Sequence, residues 1–254
     1  MLALASGCPD RSDAEPAGDE PETTATAAPS VSPVRSVVTE EPLPESGTYR
    51  LHRWTFALAS LRIEVADLGF TQTLDAALRQ KRAVLAVNAG FFDMAGEPEG
   101  LVVVRGRTLS RLAPRLGGGV MTIDEAGRPS LHAAEEFVLA PGTDFAVQCR
   151  PRLIVNGQVN IRSDDGKRAD RTALCLRDGG SSLQVIVART DHPNGGGGPT
   201  LRAFAERLLH HGCEDALNLD GGPSTGAAFW QDGEVRMLPP RGPVRQALLF
   251  HTSR

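Results

Sequence analysis

The sequence predicts an α+β fold: a mixed β-sheet core carrying two or three helices, folded as a single domain after a disordered N-terminal linker. Two observations point to the sheet and its helices. Helical periodicities over residues 74–81 and 201–209 each run into a short, wholly apolar segment, 83–87 and 216–219, of the kind buried on both faces of a sheet. Between these units lie apolar stretches punctuated by glycine-containing turns, which read as hairpins. A third observation sets the boundary: residues 9–47 are almost all Pro, Glu, Asp, Ser, Thr and Ala, with too little large apolar surface to offset ordering entropy.

Taken in order, residues 1–8 (MLALASGC) form a short apolar stretch closing on small residues before Cys8. That pattern resembles the tail of a bacterial lipoprotein signal, with Cys8 as the lipidated residue. Residues 9–47 then act as a tether, with a root-mean-square span of roughly 35 Å as a flexible coil. The folded head is residues 48–254. Residues 49–67 alternate and run apolar as one or two strands, through Trp54, Phe56, Leu58, Leu61, Ile63 and Val65. Leu74, Ala77 and Leu78 follow at helical spacing, with Thr71 or Thr73 as N-cap and basic residues near Lys81. The 83–87 strand delivers Asn88-Ala89-Gly90-Phe91-Phe92-Asp93. Hairpins are expected at Arg105-Gly106, near Gly127 and at Asn156-Gly157, with a further strand over 183–187. Thr200 caps the second helix, Gly212 ends it, and the 216–219 strand delivers Asp220-Gly221-Gly222-Pro223-Ser224-Thr225. Both helix-then-strand units thus present a polar residue followed by glycine, Asn88 before Gly90 and Asp220 before Gly221, at a strand's carboxyl end, where ligands bind in parallel sheets. Asn88 and Asp220 are read as two halves of one site.

Composition removes several function classes. With 254 residues, 41% hydrophobic, the chain buries a sizeable core, so a disulfide-stapled mini-protein is excluded. A net charge of -4, with scattered basic residues, offers no field for nucleic acid, and the acidic excess sits largely in the linker. No run of eighteen apolar residues could cross a bilayer as a helix. The four cysteines, Cys8, Cys149, Cys175 and Cys213, form neither a CxxC pair nor a zinc knuckle. In an oxidising envelope Cys149 and Cys175 are the expected pair, both flanking strands beside site motifs, with Cys213 a buried small residue. No metal or cofactor motif accompanies them.

Five short motifs then occur in one order: Asn88 to Asp93 (NAGFFD), Gly100-Leu101-Val102-Val103, Pro151 to Gly157 (PRLIVNG), Arg171-Thr172-Ala173, and Ala216 to Gly222 (ALNLDGG). Together they resemble the phosphodiester glycosidase family, with coverage from about Arg50 to the end. Cys149-Arg150 departs from the pattern, since the family usually has small residues before that proline. The resemblance implies an enzyme without cofactor that cleaves a sugar-1-phosphate diester, releasing free sugar and leaving a phosphomonoester. It also implies a glycan or small-molecule substrate in the bacterial envelope or outside the cell, with the membrane as partner through a lipid on Cys8.

The chemistry of that reaction assigns expected roles. Breaking the anomeric bond develops positive charge on the sugar and negative charge on a phosphate that departs readily when held. Arg171 is the expected clamp, because guanidinium offers a planar fork to phosphate oxygens. Gly221 and Gly222 are expected to turn backbone N–H groups to the anion, with Gly90, Thr172, Ser224 and Thr225 completing the cradle. Asp220 is the expected carboxylate, as base for water or stabiliser of the developing cation. Asn88 is expected to orient a sugar hydroxyl or phosphate oxygen. Singly, Asp-Gly-Gly is a common turn, Arg171 an ordinary surface cation, and Phe91 and Phe92 core residues; the ordered combination favours the site for the first two.

Two rival functions remain at this stage. Gly222-Pro223-Ser224-Thr225-Gly226 spells the GxSxG of serine esterases, although a strand-like segment rather than a helix follows it. A non-catalytic envelope lipoprotein binding phosphorylated glycan would carry the same tether. The glycines at 195–198 lack nucleotide-loop spacing and read as a loop able to close over the site.

Overall fold

The computed structural model describes residues 36–43, 47–69, 71–193 and 196–252. In chain order the strands are β1 (Ser36–Pro42), β2 (Thr48–Ala57), β3 (Leu61–Asp67), β4 (Leu85–Asn88), β5 (Val102–Val104), β6 (Arg107–Ser110), β7 (Gly119–Asp124), β8 (Pro129–Ala133), β9 (Thr143–Cys149), β10 (Arg152–Val155), β11 (Gln158–Val159), β12 (Arg171–Arg177), β13 (Ser182–Arg189), β14 (Asp215–Asn218), β15 (Ala227–Gln231), β16 (Glu234–Leu238) and β17 (Gln246–Thr252). Two α-helices among the described residues, α1 (Leu74–Lys81) and α2 (Leu201–His210), complete the fold. The strands form three sheets, ordered β1-β2-β13-β12-β14-β10-β11, β16-β15-β4-β17-β3 and β6-β5-β9-β7-β8.

The principal core lies where inner faces of all three sheets meet, filled by residues such as Trp54, Phe56, Leu85, Val87, Phe145, Leu174, Val185, Leu217 and Phe250. α2 covers the outer face of the seven-stranded sheet, packing Phe204, Ala205 and Leu208 against Leu51, Ile154 and Ile186. α1 does the same for the second sheet, with Leu74 and Leu78 beside Ala86, Trp230 and Leu249. Coverage on both faces explains the wholly apolar strands: in β13, Leu183, Val185 and Val187 face the main core while Ile186 and Ala188 face α2.

The helices begin where expected. The side chains of Thr73 and Thr200 accept the backbone N–H groups of Ala76 and Ala203, and Gly212 takes φ 85° after α2. Arg105-Gly106 and Asn156-Gly157 close two-residue hairpins with positive φ at both positions, which matches the twist of the flanking strands.

Three expectations are corrected. The fold is largely β, and every strand pairing among the described residues is antiparallel rather than mixed; the apolar runs reflect helix-covered antiparallel sheets, so the parallel-sheet rule for ligand sites does not apply. The span read as tether, 9–47, includes β1, which pairs with β2 from Ser36↔Trp54 to Pro42↔Thr48. β1 is held by backbone pairing and by buried Glu41, which meets His211 Nε2 at 2.8 Å and Arg207 Nε at 3.1 Å, so it needs little apolar surface. Residues 1–35, with Cys8 and most of the tether, lie outside the described residues. Finally, the disulfide joins Cys175 to Cys213, with Cα atoms 5.6 Å apart, and Cys149 is free and buried. Adjacency of β12 and β14 brings the first two together, whereas Cys149 ends β9 in a different sheet.

Candidate active site

The end of β14 carries the chain into Leu219 and Asp220, and neighbours on both sides fix that extension. On one side Leu219 N–H donates to the Thr172 carbonyl at 2.8 Å, beside β12. On the other, Asn218 donates from its backbone to the Pro151 carbonyl (3.1 Å) and from its side chain to the Arg150 carbonyl (2.9 Å), just before β10. From the second sheet, Asn88 Nδ2 donates to the Asp220 carbonyl at 2.7 Å, and Asp220 N–H donates to Ala89 at 3.2 Å. Asn88 and Asp220 therefore meet through the ends of strands from two sheets, at the edge where those sheets abut.

Asp220 opens into a cavity of about 660 Å³, larger than the clefts of about 410 Å³ beside α1 and α2. Its floor is Asp220, Gly221, Gly222 and Pro223; one wall is Phe91, Arg150 and Pro151, the other Asp165, Lys167, Arg168, Ala169 and Arg171, with Gly196 and Leu201 at the rim. Burial pushes the Asp220 carboxyl above the usual carboxylate range, against the opposing pull of the Ser224 side chain and the Gly221 N–H, which donates at 2.8 Å. Arg171 is buried and donates to the carbonyls of Lys167 (2.7 Å) and Pro199 (3.3 Å). Burial lowers its pKa while Asp165 and Asp164 raise it, and a guanidinium stays charged at any physiological pH. Arg150 lies over the Phe91 ring, 5.8 Å from its centroid. Cys149 behind it is inert, its thiol pushed up to about 12 by burial.

Beneath the floor, Asp170 is fully buried and accepts the backbone N–H and hydroxyl of Thr190 (2.9 and 3.0 Å), the guanidinium of Arg241, and Arg189 at 3.5 Å. Its carbonyl accepts Gly222 N–H at 2.7 Å, and its carbonyl oxygen would lie 2.9 Å from a Cβ at position 221. Among the described residues no three His, Cys, Asp or Glu side chains gather as a metal centre would require.

A sequence profile of the phosphodiester glycosidase family matches residues 81–251, well over half of the chain. The chain belongs to the phosphodiester glycosidase family. Its fold is similar to the catalytic domain of zebrafish N-acetylglucosamine-1-phosphodiester alpha-N-acetylglucosaminidase, auto-inhibited by its pro-peptide, with 16% identity over 91% of this chain and 88% of that one and a TM-score of 0.66. A hypothetical protein from Synechocystis is comparably similar, at 18% identity and a TM-score of 0.65 over 88% of this chain and 64% of that one. No curated protein matches the sequence.

In this member of the family, the residues expected from sequence divide sharply. Asp220, Gly221, Gly222 and Arg171 line the cavity. Asn88 does not meet it: 1% exposed, it spends its amide on the Asp220 carbonyl and accepts the Thr172 hydroxyl (2.7 Å) and Gly226 N–H (3.2 Å). Asn88 and Thr172 thus hold the Asp220 segment through hydrogen bonds within the protein. The expected amide cradle is absent too, because Gly221 N–H serves Asp220 and Gly222 N–H serves Asp170. Ser224 donates to the Pro243 carbonyl at 3.0 Å, Thr225 is fully buried, and Gly90 stands behind Phe91 against Gln148 and Cys149. The esterase geometry also fails: a single 3-10 turn, Gly222–Ser224, leads into β15, with no helix behind the serine. Cationic side chains line the cavity instead, Lys167 and Arg168 beside Arg171 on one wall and Arg150 on the other. The signal lay in the basic residues of the run Lys167-Arg168-Ala169-Asp170-Arg171 and in Arg150 beside Pro151.

Proposed function

We propose that the protein hydrolyses the glycosidic bond of a sugar-1-phosphate diester, with Asp220 as general base and the Lys167-Arg168-Arg171 wall holding the phosphate. Family membership supports glycosidase-type hydrolysis. The observation that carries the finer reading is a partly buried carboxylate, Asp220, sharing one cavity with the cationic side chains Lys167, Arg168 and Arg171. Asp220 takes a proton from water, the water oxygen bonds to the anomeric carbon, and the bond from that carbon to the phosphate oxygen breaks, its electron pair leaving on the phosphomonoester. A phosphomonoester has a second pKa of about 6, so it departs without a general acid once its charge is held. One carboxylate then suffices where most glycosidases need two. Raising the Asp220 pKa by burial makes it a stronger base than an exposed aspartate.

N-acetylglucosamine is the first sugar to test, following the name of the zebrafish enzyme. Screening methyl diesters of several sugar 1-phosphates for free reducing sugar tests the reading, and saturable binding without turnover of any of them would replace it with the binding-protein alternative. Placement in the bacterial envelope through a lipid on Cys8 is part of the proposal and is tested by metabolic incorporation of a clickable fatty acid, lost in Cys8→Ala.

A further inference from the structure

Asp220 stands between two cationic groups carried by different neighbours of its strand. β14 has β12, which begins at Arg171, on one side and β10, preceded by Arg150-Pro151, on the other. Adjacent strands lie about 4.8 Å apart, so the two arginine-bearing backbones are separated by about 10 Å with the carboxylate between them. Both side chains are held in their own places, Arg171 by the carbonyls of Lys167 and Pro199 and Arg150 by the ring of Phe91. One phosphodiester bound against Arg171 leaves Arg150 unused.

Arg150 also lines a second cavity, of about 440 Å³, together with Arg111, Arg115, Glu99, Ser110 and Leu116. It is therefore the shared wall between that cavity and the one holding Asp220. Among the described residues, Arg111, Arg115 and Arg150 have no carboxylate within 4 Å, whereas the arginines beneath the floor are paired with Asp170. Three guanidinium groups around one pocket with a single carboxylate in its lining make an anion subsite. Guanidinium forks suit phosphate or carboxylate oxygens.

The geometry points to a second anionic subsite built from Arg111, Arg115 and Arg150, so that the preferred substrate is a sugar-1-phosphate diester whose far half carries a further anionic group. This rests on the reading of Asp220 and the Arg171 wall as the hydrolytic site, and it narrows the substrate class: charged glycan or polyol phosphates are favoured over diesters of neutral alcohols. The subsite is solvent-exposed, so its contribution should fall steeply with salt.

The test compares three diesters of N-acetylglucosamine 1-phosphate, with 3-hydroxypropyl, 3-carboxypropyl and 3-phosphopropyl groups on the far side. The native protein should show a kcat/KM for the phosphopropyl diester about tenfold above that for the hydroxypropyl one, the equivalent of one charged hydrogen bond. The carboxypropyl arm shows whether any anion or only phosphate is read. In the Arg111→Gln/Arg115→Gln double variant, whose exposed positions leave the fold intact by circular dichroism, the ratio should collapse towards one, as it should for the native protein in 0.5 M NaCl. A ratio near one in the native protein, or an unchanged ratio in the double variant, overturns the subsite. If none of the three is hydrolysed, the hydrolytic reading fails instead. Titration calorimetry with the same compounds then decides the subsite, tighter binding of the phosphopropyl diester that the double variant loses supporting it and equal binding rejecting it.

Discussion

At Asp220 two demands oppose each other. Burial raises the carboxyl pKa, so the folded state holds the proton more tightly than the unfolded chain does. The stability this supplies is complete below the unfolded pKa and is lost as pH rises through the folded value, leaving an ionised, partly buried carboxylate that works against folding at neutral pH. The same ionised form is the catalytic base. Asp220→Asn, which keeps an acceptor for Gly221 N–H, should therefore lower kcat by about 10²–10⁴ while raising the melting temperature at pH 7. A parallel pH series of melting temperature and kcat checks both: the native protein's activity should rise with pH through the raised pKa as its stability falls, and the variant should lose both slopes. Asn88 illustrates how far residue-level reading reaches. Its pairing with Asp220 was legible from the repeated helix-strand grammar, but the engagement of both ends of its amide within the protein was not, because burial of polar groups depends on packing that a sequence does not display.

Among the elements, the loop from Asp220 to Thr225 is shaped from below by Asp170. That side chain gathers Arg189, Arg241 and Thr190, while Arg241 and Gly242 donate their backbone N–H groups to the Pro223 carbonyl at 2.8 and 2.9 Å. Asp170→Ala leaves two partly buried guanidiniums without their carboxylate and should cost about 3–5 kcal/mol in urea unfolding, with a drop in kcat as the floor loosens. Asp170→Asn, which keeps the acceptor for Thr190, should retain part of both. Local elements were read well: the caps Thr73 and Thr200 and the two-residue hairpin turns depend on short-range chemistry alone. Strand direction was not, since a strand buried on both faces looks the same whether its neighbours run parallel or antiparallel. Nor was β1, whose anchorage is the buried Glu41 cluster rather than an apolar face.

For the molecule as a whole, three antiparallel sheets around one core hold the site at the place where two of them abut, and a disulfide joins β12, the middle strand of its sheet, to Cys213 in the turn between α2 and β14. Its two cysteines are 38 residues apart, so chain-entropy arguments assign about 4 kcal/mol to the closed loop. A Cys175→Ser/Cys213→Ser variant should lose roughly that much in denaturant unfolding, the buried thiol of Cys149 taking no part. Which cysteines pair was not readable from spacing, because it follows from the adjacency of β12 and β14, a long-range fact. Glycosidic hydrolysis breaks the bond from the anomeric carbon to oxygen, and hydrolysis of a sugar-1-phosphate methyl diester in ¹⁸O-labelled water reads directly whether that bond is the one that breaks. Label recovered in the anomeric hydroxyl of the free sugar, with methyl phosphate unlabelled, is the predicted result; label in the phosphate would mean attack at phosphorus and contradict it.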